Sequence, residues 1–94
     1  MEASARRKVP GGKLLSVRLE HDGDRVTGAE LSGDFFLFPE ESIVVVESAL
    51  VGVPRSIDEA GLASMIAERL GREGITAVGF TPRDLASVVR EALD

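Results

Sequence analysis

Cysteine is absent from this 94-residue chain. That excludes disulfides, thiolate metal sites, iron–sulfur ligation and persulfide chemistry. Histidine occurs once, at His21, and the four aromatics are all phenylalanines, three of them gathered at Phe35, Phe36 and Phe38. No apolar run reaches membrane-spanning length and the polar N-terminus has no signal-peptide core, so a cytoplasmic location is expected. Basic charge is in deficit: 11 Lys and Arg against 16 Asp and Glu leave a net charge of −5, which argues against nucleic acid as the main partner. The deficit is uneven. Arg6, Arg7, Lys8, Lys13, Arg18 and Arg25 all lie within residues 1–25, and the remainder is acidic.

What is present fits one small globular domain spanning 1–94, with 1–7 expected as a disordered arm and 8–93 as the folded unit. The hydrophobic fraction of 44% beside 29% charged residues is ordinary for a folded chain, and division would leave neither half a useful core. Leu15, Val17 and Leu19 alternate with Ser16, Arg18 and Glu20, the pattern of a half-buried strand. His21-Asp22-Gly23-Asp24 reads as a tight hairpin turn. Arg25 to Ser32 returns as a second strand, with Val26 out of phase with Ala29 and Leu31, so a bulge is expected near Thr27-Gly28.

Three helices follow. Pro39-Glu40-Glu41 reads as the first turn of one that ends near Gly52, although Ile43 to Val46 is β-branched enough to argue for a strand. Ser56 and Glu59 have capping-box spacing ahead of the stripe Leu62, Met65, Ile66 and Leu70. Ile75 to Phe80 suggests a short strand, and Thr81-Pro82-Arg83-Asp84 starts a helix with Leu85, Val88, Val89 and Ala92 on its buried face. The order predicts an α+β fold: a small antiparallel sheet, made of a β-hairpin and a short third strand, with about three helices over one face.

The residues carry little catalytic chemistry. Lys8, Gly11, Gly12 and Lys13 superficially resemble a phosphate loop, but Arg7 stands where its first glycine belongs, Leu14 replaces the Mg-binding hydroxyl, and a strand follows in place of a helix. A flexible loop with a solvated lysine is the plainer reading. His21 has no Ser, Cys or second His nearby in sequence and reads as an exposed turn residue. Asp22 and Asp24 lack the spaced ligand set of a calcium loop and are better turn formers. At Gly33-Asp34-Phe35-Phe36 two readings stand: Phe36 or Phe38 folds under the first helix, or these rings form an apolar docking patch.

Taken together, Lys-x-x-x-Gly-Lys-Leu at Lys8 to Leu14, Gly-Asp-Phe-Phe at Gly33 to Phe36, Pro-Glu-Glu at Pro39, Leu-x-Gly at Leu50 to Gly52 and Thr-Pro-x-Asp-Leu at Thr81 to Leu85 resemble the accessory C-terminal domain of lipoate–protein ligase. The closest likeness is to the separately encoded small subunit of split ligases. The resemblance implies a fold like that of the NifU/SufE-type small domains. It also implies a non-catalytic role, in a heterodimer with a large catalytic subunit that binds ATP, Mg and lipoate, forms lipoyl-adenylate and lipoylates an acceptor-domain lysine. This chain is then expected to bind no cofactor alone. Its Lys8, Gly11, Gly12 and Lys13 would close over the partner's adenylate site, with Phe35, Phe36 and Phe38 at the subunit contact. The missing cysteine separates it from the sulfur-transfer proteins of similar fold. A protein-binding or assembly module unrelated to lipoate is the alternative.

Overall fold

A computed structural model describes residues 1–11 and 13–94. Alternation builds its sheet. On β2 (Leu14–His21) Leu15, Val17 and Leu19 are buried, while Arg18 and Glu20 are exposed. β2 is the middle strand, paired antiparallel with β1 (Glu2–Lys8) on one side and β3 (Val26–Gly33) on the other. Glu20 pairs with Gly28 and His21 with Val26, so Thr27 is the extra residue of the expected bulge.

The expectation of a disordered arm over 1–7 is corrected: Glu2–Lys8 is a full edge strand whose Ala3, Ala5 and Arg7 turn inward. Arg7 reaches Ser87 and lies 3.8 Å from Glu91 of the last helix. The reading of His21 as an exposed turn residue is also corrected. It continues the buried side of β2, and its Nδ1 accepts the Gly23 N–H at 3.2 Å. The turn begins one residue later, where the Asp22 carboxylate accepts the N–H groups of Arg25 (2.8 Å) and Asp24 (2.9 Å). Those two bonds, Arg25's first, hold the Asp22 carboxyl below its ordinary range. A folded pKa depressed in this way adds stability above the ordinary carboxylate range, and that stability is lost as the pH falls through the folded value.

Helix α1 (Ser42–Leu50) packs against β3, and its Glu47 carboxylate accepts the Leu31 N–H at 2.8 Å, covering that edge of the sheet. The Pro39-Glu40-Glu41 segment is a turn leading into α1, not its first helical turn. Helix α2 (Glu59–Arg72) is capped by Asp58, which accepts from Gly61 N–H, and not by the Ser56–Glu59 box. Helix α3 (Pro82–Leu93) has the expected box of Thr81 and Asp84 and lies across β1 and β2. α2 leans on α3 and α1, so Leu62, Ile66 and Leu70 join Val46, Leu50, Leu85, Val88 and Val89 in one core with the inner face of the sheet.

The short third strand is real but joins a different sheet. β5 (Thr76–Val78) pairs antiparallel with β4 (Phe36–Phe38), forming a two-stranded ribbon outside the main sheet. Gly33 makes this possible. Its φ is +144°, and a Cβ there would lie 2.2 Å from the Leu14 carbonyl oxygen, a backbone atom with no room to yield. Gly33→Ala is expected to cost about 2–3 kcal/mol by denaturant unfolding, from strain and backbone clash together. Gly52→Ala, at φ +91° in open space, is expected to cost about 1–2 kcal/mol, from strain alone.

Candidate functional site

At one end of the molecule the two sets of residues singled out in the sequence come together. The β1–β2 turn is closed by the Val9 N–H donating to the Lys13 carbonyl at 2.8 Å, with Gly11 at φ +97°. Gly12 lies outside the described residues. Lys13 lines a hollow with Gly11, Gly33, Asp34, Phe35 and Phe36. On its other side it borders a second hollow with Phe80, Thr81 and Asp84. At the start of α3 the Asp84 carboxylate accepts the Thr81 N–H and the Thr81 hydroxyl accepts the Asp84 N–H, which places a carboxylate at this helix end.

Strand register decides what the phenylalanines do. Leu37 is buried and Ala77 half-buried on the inner side of the ribbon, so Phe36, Phe38, Thr76 and Val78 all face out. Phe36 is 64% exposed, Phe38 53% and Val78 48%. Neither Phe36 nor Phe38 folds under α1. Phe35 is the exception: half-buried, it packs edge-to-face on Phe80 with ring centroids 5.1 Å apart, so it supports the patch from beneath. Ile43 and Glu40 extend the apolar hollow beside Phe36 and Phe38. Val78 and Ile43 were read from the sequence only as parts of a strand and a helix, not as site residues.

The charge is also sorted. Among the described residues, Arg7, Arg18, Arg72, Arg83 and Arg90 each have a carboxylate within 2.7–3.8 Å. Arg25 and Arg55 donate to backbone carbonyls of Gly52 and Leu93. Arg6, Lys8 and Lys13 have no carboxylate within ion-pair distance among the described residues, and they cluster at the β1–β2 turn of an acidic protein. No group of three metal-ligating side chains occurs among the described residues, and no helix is long and apolar enough to cross a membrane. Ammonium groups and backbone N–H fit phosphate oxygens and do not fit Mg, which wants carboxylate and water oxygens.

The search against family models finds no match. The chain is, however, 35% identical over 77 residues to lipoate-protein ligase A subunit 2 of Thermoplasma acidophilum, covering 82% of this chain and 77% of that one. The chain belongs to the lipoate–protein ligase subunit 2 family. The fold agrees. A chain in the structure of a bipartite lipoate protein ligase and its E2 lipoyl domain, from the same organism, superposes with a TM-score of 0.76 at 31% identity over 96% of both chains. This end of the small subunit thus gathers exposed rings and cations that have no ion-pair partner among the described residues.

Proposed function

We propose that this chain is the non-catalytic accessory subunit of a cytoplasmic lipoate–protein ligase, needed with the large catalytic subunit for ATP-dependent adenylation of lipoate. The observation that carries the reading is the contiguity of Lys13 with the exposed Phe36. One element supplies apolar area for docking, and its neighbour supplies positive charge at the rim. On this reading the large subunit binds ATP, Mg and lipoate and docks on Phe36, Phe38 and Val78, with Phe35 beneath. Lys8, Gly11 and Lys13 then lie over its nucleotide.

Adenylation transfers negative charge onto phosphate oxygens as the lipoate carboxylate bonds to the α-phosphorus and pyrophosphate leaves. A fixed ammonium aimed there stabilises that charge more than the ground state, with no reorganisation at the moment of reaction. The lipoyl group then passes to a lysine of an acceptor domain without further chemistry from this chain. Family membership favours this reading over an assembly module unrelated to lipoate. Lipoate-dependent ATP–pyrophosphate exchange by the large subunit, with and without this chain, tests it.

A further inference from the structure

β1 leaves one edge of the main sheet open. Met1 and His21 exchange both backbone bonds, at 2.7 and 2.9 Å, and Val9 donates to Lys13 at 2.8 Å, so the odd-numbered residues of this strand bond to β2. By alternation, Glu2, Ser4, Arg6 and Lys8 point their N–H and C=O groups away from the sheet. Their side chains are exposed on its uncovered face. The opposite edge, on β3, is closed by Glu47 and by Val53. An open edge of this kind is a template for another strand unless its side chains forbid pairing.

The charges on this edge are ordered. Glu2 sits directly across from Glu20 on β2, a like-charge pair, whereas Arg6 faces Ser16 and Lys8 faces Leu14. At the acidic end the Met1 ammonium lies 3.9 Å from Glu20, and Glu2, Arg6 and Lys8 have no ion-pair partner among the described residues.

We propose that the free chain pairs antiparallel with a second copy of itself along β1, about a two-fold axis through Ala5. This register sets each Glu2 against Lys8 of the other copy and each Ser4 against Arg6. It joins residues whose backbone groups all point outward, and it makes one continuous six-stranded sheet. Sliding the register by two residues one way sets Arg6 against Arg6; sliding it the other way sets Ser4 against Ser4 and takes Lys8 out of the pairing within β1. Only the register centred on Ala5 pairs all four outward-facing residues of β1 with one another and sets opposite charges together. The small Ala5 at the axis lets the strands approach. Because such an interface is short and its ion pairs are exposed, association is weak and weakens further with salt.

Sedimentation equilibrium of the full chain at micromolar to millimolar concentrations tests this. A monomer–dimer equilibrium is expected. Glu2→Lys and Lys8→Glu each weaken it about tenfold, since each turns two attractive pairs into two repulsive ones. The double variant Glu2→Lys/Lys8→Glu regains the parental constant to within a few-fold. Ser4→Pro, which removes an outward N–H, abolishes dimers while circular dichroism stays native. A chain that remains monomeric throughout overturns the proposal, as do single variants that fail to rescue each other. Loss of large-subunit binding in Ser4→Pro, with the parent monomeric, assigns the edge to the heterodimer and overturns it equally.

Discussion

Phe36→Asp is expected to weaken binding to the large catalytic subunit by about a hundredfold or more, while the variant remains as stable as the parent. Phe36 is 64% exposed and its neighbours in the ribbon, Leu37 and Ala77, hold β4 to the core without it. Its ring does little for the fold, so removing it changes unfolding free energy by no more than about 0.5 kcal/mol. On the proposed docking the same ring is central to an apolar patch with Phe38 and Val78, all exposed in this chain. A buried aromatic of this kind can carry about 2–4 kcal/mol of binding, and a carboxylate in its place adds a desolvation cost. Phe35→Ala is the contrast. Its ring packs on Phe80, so its loss appears in thermal stability before it appears in affinity. Calorimetric titration paired with thermal unfolding separates the two behaviours. Phe36→Asp that binds normally removes the ribbon from the interface.

The second large effect is on chemistry. Lys13→Ala is expected to lower lipoate-dependent pyrophosphate exchange by about tenfold to a hundredfold in the assembled complex, with affinity for the large subunit within a few-fold of the parent. Lys13 is exposed beside the aromatic corner and has no ion-pair partner among the described residues. Its charge is therefore uncommitted until docking. Donors aimed at developing charge in a water-excluded site typically contribute about 3–4 kcal/mol when removed singly; a loop at a subunit rim is wetter and its contribution smaller. Lys13→Arg keeps the charge and retains part of the activity, because the guanidinium carries it on a longer, planar group. Exchange unchanged in Lys13→Ala, in an intact complex, takes the loop away from the nucleotide.

The legible parts of the fold were those with a strong local signal. Leu15, Val17 and Leu19 gave away β2, Val26 out of phase gave away the bulge at Thr27, and Thr81 with Asp84 marked the start of α3. β1 was hidden because its inward residues include Ala3 and Ala5, too small to raise an alternating hydrophobic pattern between charged neighbours. His21 was misplaced by a turn signal that overrode the continuing alternation of β2; only 7% exposed, it follows that alternation. Ser56 had the right spacing for a cap, but the turn in which Ile57 donates to the Pro54 carbonyl moves the helix start to Asp58. The site divided in the same way. Phe36 and Phe38 sharing a side follows from strand spacing. Their pairing with Val78 and the approach of Lys13 depend on contacts between distant segments, which local spacing does not encode.

The central claim is that this small subunit completes an active site it does not contain. Lipoate-dependent ATP–pyrophosphate exchange by the large subunit measures the adenylation step without acceptor domain or transfer. The predicted result is little exchange from either chain alone and strong exchange when the two are mixed, saturating at one small subunit per large. Full exchange by the large subunit alone, unaltered by adding this chain, would contradict the account.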